Sequence, residues 1–144
     1  MNLHLERTLA ASPERAFAAC VEPSQLAEWW GPAGFTSRVM ELDVRAGGRY
    51  RIAMRPPGGE VFHLRGEFLE IDAPQRLSYT FEWEEPDPDD RETVVTLTFR
   101  DAGDDATEVV LDQGPFATAD RHALHENGWS ESFVRLEQHL ARTA

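Results

Sequence analysis

The apolar positions of this chain follow two different periods. From Phe35 to Gln113 they mostly alternate, and from Thr118 to Arg142 they recur at steps of three and four. In the last stretch Trp129, Phe133, Leu136 and Leu140 stack on one face of a 3.6-residue helix, while Glu131, Arg135, Glu137 and Arg142 fall largely elsewhere. A helix with one apolar stripe has to cover something, and the alternating segments upstream predict the sheet that it covers. Gly128 interrupts this helix. A glycine there costs roughly 1 kcal/mol relative to alanine, and it is expected to give close approach of another backbone or room for a guest molecule.

At the other end Leu3, Leu5 and Leu9 alternate with polar residues, a pattern broken only by Arg7, and predict a half-buried first strand. Ser12 as N-cap and Pro13 in the first turn predict a short helix from Pro13 to Val21, with Phe17, Cys20 and Val21 inward and Pro23 as its stop. Ser24 is then expected to cap a second short helix, Gln25 to Trp30, ended by Gly31 and Pro32. The alternating runs place Met40, Leu42 and Val44 on one face of the next strand and Tyr50, Ile52 and Met54 on one face of its partner. Phe62, Leu64 and Phe68 follow, then Leu77, Tyr79, Phe81 and Trp83, then Val95, Leu97 and Phe99, and last Val109, Leu111 and Gln113. Every connection between these runs is short enough for a hairpin, so neighbours are antiparallel. The expectation is one α+β domain over residues 1–144, a curved antiparallel sheet of about seven strands in the order β-α-α-β6-α, with the last helix across it.

One helix cannot cover a strongly curved seven-stranded face. The remainder is filled by large side chains or left as a cavity, and the inward faces supply an aromatic lining for one: Trp29, Trp30, Phe35, Tyr50, Phe62, Tyr79, Phe81, Trp83 and Trp129. Met54, Leu97, Phe133 and His125 extend that lining, and Tyr79 and Gln113, polar residues on otherwise apolar faces, either bond another protein group or present a handle to a ligand. Trp29 and Trp30 are adjacent at a helix end, where both indoles are not expected to point inward; one packs in the core and the other borders the cavity entrance or a surface patch.

A formal net charge of −12 argues against nucleic acid, because phosphate binding needs clustered Lys and Arg. The acidic excess concentrates between Glu82 and Glu92 around Pro86 and Pro88, which reads as a solvated hairpin tip. Cys20 is the only cysteine, so there is no disulfide framework, and a reduced cytoplasmic setting is the simplest reading. Neither a signal peptide nor a membrane-spanning run is visible. The strand from Thr36 to Val44 is read as an edge strand, either paired across a homodimer or protected from such pairing.

Five segments carry a resemblance: Trp29-Trp30-Gly31-Pro32, Val44-Arg45-Ala46-Gly47-Gly48-Arg49-Tyr50, Gly66-Glu67-Phe68, Pro74-Gln75-Arg76-Leu77 and Asn127-Gly128-Trp129. With them the chain resembles the helix-grip superfamily of START-like and Bet v 1-like domains, and within it the bacterial proteins similar to the C-terminal domain of the activator of Hsp90 ATPase. The resemblance implies a long helix lying across the sheet and, in many members, a deep hydrophobic cavity. Members of the wider superfamily include lipid carriers, hormone receptors, polyketide cyclases and the co-chaperone domain, so the fold alone does not choose among functions.

Three functions are therefore carried forward. The first is binding of a small hydrophobic or aromatic molecule between sheet and helix, without a cofactor. The second is a cyclase or dehydratase using the same cavity, with Tyr79, His125 or Glu126 moving protons. The third is a protein-interaction or chaperone-assisting role, resting on an exposed Trp29 or Trp30 and the acidic loop. His122, His125 and Glu126, with His63 from a strand, lack the His spacing of a helical metal site, and no metal is expected.

Overall fold

The computed structural model describes residues 1–143. A first strand (β1, Leu3–Leu9) leads to two short helices (α1, Pro13–Val21; α2, Pro23–Trp29). Six strands follow (β2, Thr36–Leu42; β3, Arg49–Arg55; β4, Phe62–Asp72; β5, Arg76–Trp83; β6, Thr93–Asp101; β7, Thr107–Gly114), and then a 24-residue helix (α3, Ala119–Arg142). The strands form one antiparallel sheet in the order β1-β7-β6-β5-β4-β3-β2, which leaves β1 and β2 at its edges. The α+β helix-grip architecture is as the hydrophobic pattern requires. Trp129, Phe133, Leu136 and Leu140 of α3 all lie in the core against the inward residues of the strands. Arg7, the break in the first alternation, sits at the sheet edge and donates to Ser130 Oγ of α3 at 3.3 Å.

Local departures from the expected pattern have identifiable causes. Pro23 opens α2 instead of merely stopping α1. A proline lacks only an N–H that the first helical turn leaves unused, and Glu22, in extended backbone, serves as C-cap of α1 and N-cap of α2. Ser24 consequently lies inside the helix and caps nothing. In β2 the face expected from Met40, Leu42 and Val44 does not form, because a bulge between Val39 and Glu41 shifts the register. Val39 and Leu42 pack against the core, while Met40 and Val44 are exposed.

The adjacent tryptophans divide as expected, Trp29 into the core and Trp30 into the wall of a cavity, although neither is left on the surface. Both are interior, Trp29 at 0 % exposure and Trp30 at 6 %. The helix ends at Trp29, and Trp30 as its C-cap (φ −64°, ψ 131°) turns the chain that follows it out of the helical path. The Trp29 indole donates to Ala19 O at 2.8 Å, and the Trp30 ring meets Trp129 edge-on at 5.3 Å.

The chain after Trp30 is held by Arg135. Its guanidinium donates to the carbonyls of Glu28, Trp30, Gly31 and Pro32 at 3.0–3.2 Å, satisfying the end of α2 from α3. Glu131 adds a bond from Ala33 N–H at 2.9 Å. Gly31, at φ +100°, takes a backbone conformation that side-chain-bearing residues rarely adopt and places this segment against Phe35 and Met54.

Candidate functional site

The helix and the sheet diverge toward the N-terminal half of α3 and leave a cavity of about 330 Å³. Its walls come from four directions. The Arg135-held segment supplies Trp30, Gly31, Pro32 and Phe35. The strands supply Met54, Phe62, Phe81 and Trp83, and the loop after β5 supplies Glu85, Asp87 and Asp90. The helix supplies Arg121, Leu124, His125, Gly128, Trp129 and Ser132. Successive rings meet edge to face: Phe35 on Phe62, Phe62 on Trp83 and Phe81 on Trp83, at centroid distances of 5.0–6.2 Å.

Eight of the residues expected to line a cavity are brought together here: Trp30, Phe35, Met54, Phe62, Phe81, Trp83, His125 and Trp129. Six are placed elsewhere. Trp29, Tyr50, Tyr79 and Leu97 border a separate inner void of about 20 Å³ beside Cys20, where burial raises both tyrosine hydroxyls well above their ordinary pKa and pushes the Cys20 thiol up to about 12. Tyr50 is further committed, its hydroxyl donating to Thr80 O at 2.5 Å. Gln113 is 1 % exposed and fully engaged, accepting from the Trp129 indole at 2.7 Å and donating to Thr93 Oγ1 at 2.9 Å. Phe133, also 1 % exposed, is packed core. Tyr50 and Gln113 thus find protein partners when the sheet brings them within reach.

The proton-moving candidates are not gathered. Tyr79 belongs to the inner void, Glu126 is exposed on the outer side of α3, and only His125 reaches the cavity. Its ring lies among Phe81, Trp83 and Phe116 at 4.8–6.0 Å. Burial pushes its pKa down to about 4, against a smaller upward pull from Asp90 and a downward one from Arg121. A group with so low a pKa is neutral near pH 7 and a weak base. The unfolded chain takes up this proton near 6.5 and the folded chain only near 4, so stability is complete above that interval and declines as pH falls through it. Acid unfolding of His125→Phe is expected to lose part of this slope, leaving the share of His139, which burial also shifts downward. An unchanged slope, read by denaturant midpoints at several pH values, would show that His125 is not held neutral by its surroundings.

No side-chain nitrogen or oxygen among the described residues is both fully enclosed and unpartnered. The ring nitrogens of His125 and the hydroxyl of Ser132 form no hydrogen bond among the described residues, so they are polar atoms of the cavity wall. Ser132 is 5 % exposed.

The acidic loop is exposed from Glu85 to Asp89, as expected of a solvated tip, but it is also anchored to the helix. Arg121 binds it down, with Nη2 2.9 Å from Asp87 and Nη1 3.4 Å from Asp90, and the Asp90 side chain is only 8 % exposed. Arg51 holds Glu84 bidentately at 2.7 and 2.9 Å, and His63 holds Glu85 at 2.8 Å; each bond keeps its carboxyl below the usual range. His63, Glu84 and Glu85 bring one ligand atom each within 4.8 Å of one another, but those atoms are already committed to these pairs. His122, the other helical histidine, turns to Asn2 O at 3.1 Å.

Gly128, expected to make room for a guest molecule, does line the cavity, whereas Arg121, Leu124 and Ser132 were not recognised as lining. Their spacing from His125 and Trp129 is the available signal, since the positions from 121 to 132 continue one helical face. Asp87 and Asp90 carry no such periodic signal.

A family model described as "Activator of Hsp90 ATPase homolog 1-like protein" matches residues 10–141. The crystal structure of a protein from Chromobacterium violaceum is similar at a TM-score of 0.87 and 28 % identity, covering 95 % of this chain and 94 % of that one. A Silicibacter pomeroyi protein described as AHSA1 gives 0.86 and 28 % over the whole of both chains. A Mesorhizobium loti protein gives 0.80 and 26 %, covering 100 % and 99 %. Comparison with curated proteins finds no match. No helix among the described residues is long and apolar enough to cross a membrane.

Proposed function

Since the chain belongs to the family of activator of Hsp90 ATPase homolog 1-like proteins, we propose that it binds a small hydrophobic or aromatic molecule between the sheet and the N-terminal half of α3, in a reduced cytoplasmic setting. The observation that carries this reading is the cavity of about 330 Å³, walled by aromatic rings and offering the unpaired polar atoms of His125 and Ser132. A wall of this composition, with few polar groups, is what small-molecule pockets of about 300–1,000 Å³ have in common. Two further observations favour binding over the alternatives. The proton-moving candidates of a cyclase or dehydratase are dispersed, and His125 alone in the cavity is a weak base. Neither Trp29 nor Trp30 is exposed, which takes away the indole anchor on which a chaperone-like contact would rest.

Native mass spectrometry of protein purified from its own host, followed by solvent extraction, tests the proposal. A stoichiometric aromatic or acyl compound is the expected result. An apo mass that stays unchanged on soaking with fatty acids and polycyclic aromatics counts decisively against a ligand-binding role.

A further inference from the structure

The charge of the occupant is legible from the rim of the same cavity. Resting on the reading of that cavity as a ligand site, we infer that it selects organic cations, aromatic or polycyclic amines, over neutral molecules and acids of the same shape. Three indoles and three phenyl rings form the wall: Trp30, Trp83, Trp129, Phe35, Phe62 and Phe81. Aromatic faces are electron-rich and attract a cation.

The rim repeats the preference. Three carboxylates, Glu85, Asp87 and Asp90, face one guanidinium, Arg121. That guanidinium is spanned by Asp87 and Asp90, and Asp90 also accepts from the Asp87 N–H at 2.7 Å. An incoming acid therefore finds the only cation of the rim occupied and an excess of like charge beside it. The loop's other cation, Arg91, is exposed and folds back onto the carbonyls of Pro88 and Asp90. Glu85 accepts from the His63 backbone N–H at 2.7 Å and pairs with His63 Nδ1 at 2.8 Å, and His63 itself is not part of the cavity wall. His125 is uncharged near neutrality and adds no positive potential. Farther out, the net charge of −12 concentrates cations around the molecule and repels acids.

Inside the cavity the Ser132 hydroxyl, 5 % exposed and without a partner among the described residues, is a second and uncharged anchor. The occupant this arrangement fits has a flat apolar body against the tryptophans, a polar atom for Ser132, and an ammonium directed at Glu85 and Asp87.

Three probes of one shape separate the contributions: 2-naphthylmethylamine, 2-naphthylmethanol and 2-naphthoic acid, titrated at pH 7 by tryptophan fluorescence and calorimetry. The amine is expected to bind roughly tenfold or more tighter than the acid, with the alcohol between them. High salt narrows the gap, since the rim is in contact with solvent. In the variant Glu85→Gln/Asp87→Asn the gap falls to roughly threefold or less while alcohol binding is retained. An acid that binds as tightly as the amine overturns the inference and leaves the cavity reading standing. If none of the three binds and the native mass is apo, the cavity reading itself fails and this inference with it.

Discussion

Replacing Gly128 by leucine is expected to weaken ligand binding by roughly ten- to a hundredfold without unfolding the protein. Gly128 faces the cavity, and a Cβ built there meets only Pro32 Cγ, at 3.7 Å, an ordinary van der Waals contact. The glycine is therefore not required by a closely approaching backbone, one of the two reasons its sequence position suggested. What it leaves is room. An alanine fits that room and should stabilise α3 by about 0.5–1 kcal/mol, because glycine is the poorer helix former by that margin. Ligand affinity of Gly128→Ala should stay within about twofold of the parent. A leucine carries three more carbons into the space between Pro32 and Trp129, where they compete with the occupant for the same contacts. The measurement is a pair of curves for each variant, thermal unfolding and titration with whichever compound the parent binds. Leucine binding at parental affinity would remove the cavity beside Gly128 from the binding site.

The largest expected stability effect belongs to Gly66→Ala. Gly66 of β4 pairs with Tyr50 of β3, and the Tyr50 ring passes directly over it to reach Thr80 O on β5. An added Cβ would collide with Thr80 O and lie 2.5 Å from the Tyr50 ring. The ring could turn aside, at the expense of its hydrogen bond and its packing on Phe68 and Tyr79. The carbonyl is part of the sheet and can yield only by moving β5. A loss of about 3 kcal/mol or more follows, at the upper end of what overpacking produces, and the melting temperature should fall by about 10 °C. Adding Tyr50→Leu should not restore it, because the backbone collision remains. A full rescue by that second change would show that only the ring was in the way.

These two glycines mark the boundary of what residue order could reveal. The Gly66-Glu67-Phe68 segment stood out as part of a family resemblance, and Gly128 as an irregularity in a helix, but neither position announced its neighbour. Gly66 answers to a carbonyl on the facing arm of its hairpin, 14 positions later, and Gly128 to a proline 96 positions earlier. The aromatic lining was legible more fully, because an alternating strand commits its side chains to one face before any tertiary contact forms. Where that reading went too far, the cause was partnership: Tyr50 and Gln113 are polar groups on inward faces that find Thr80, Thr93 and Trp129 inside the protein and so are not free to meet a ligand.

The sequence by itself determined the element order, the hairpin connections, the apolar stripe of α3 and hence the helix-grip architecture, because local periodicity and turn chemistry act over a few residues and leave one economical way to bury the apolar faces. Tertiary structure alone decided the rest. It buried Trp29 in the core and set Trp30 in the cavity wall against Trp129, and it shifted β2 by a bulge that no composition signal marks. It also folded the acidic loop onto Arg121, so that carboxylates far from the helix in sequence became the rim of its cavity. Contacts of this kind depend on where distant segments meet, and a charge or a glycine acquires its role only from what arrives beside it.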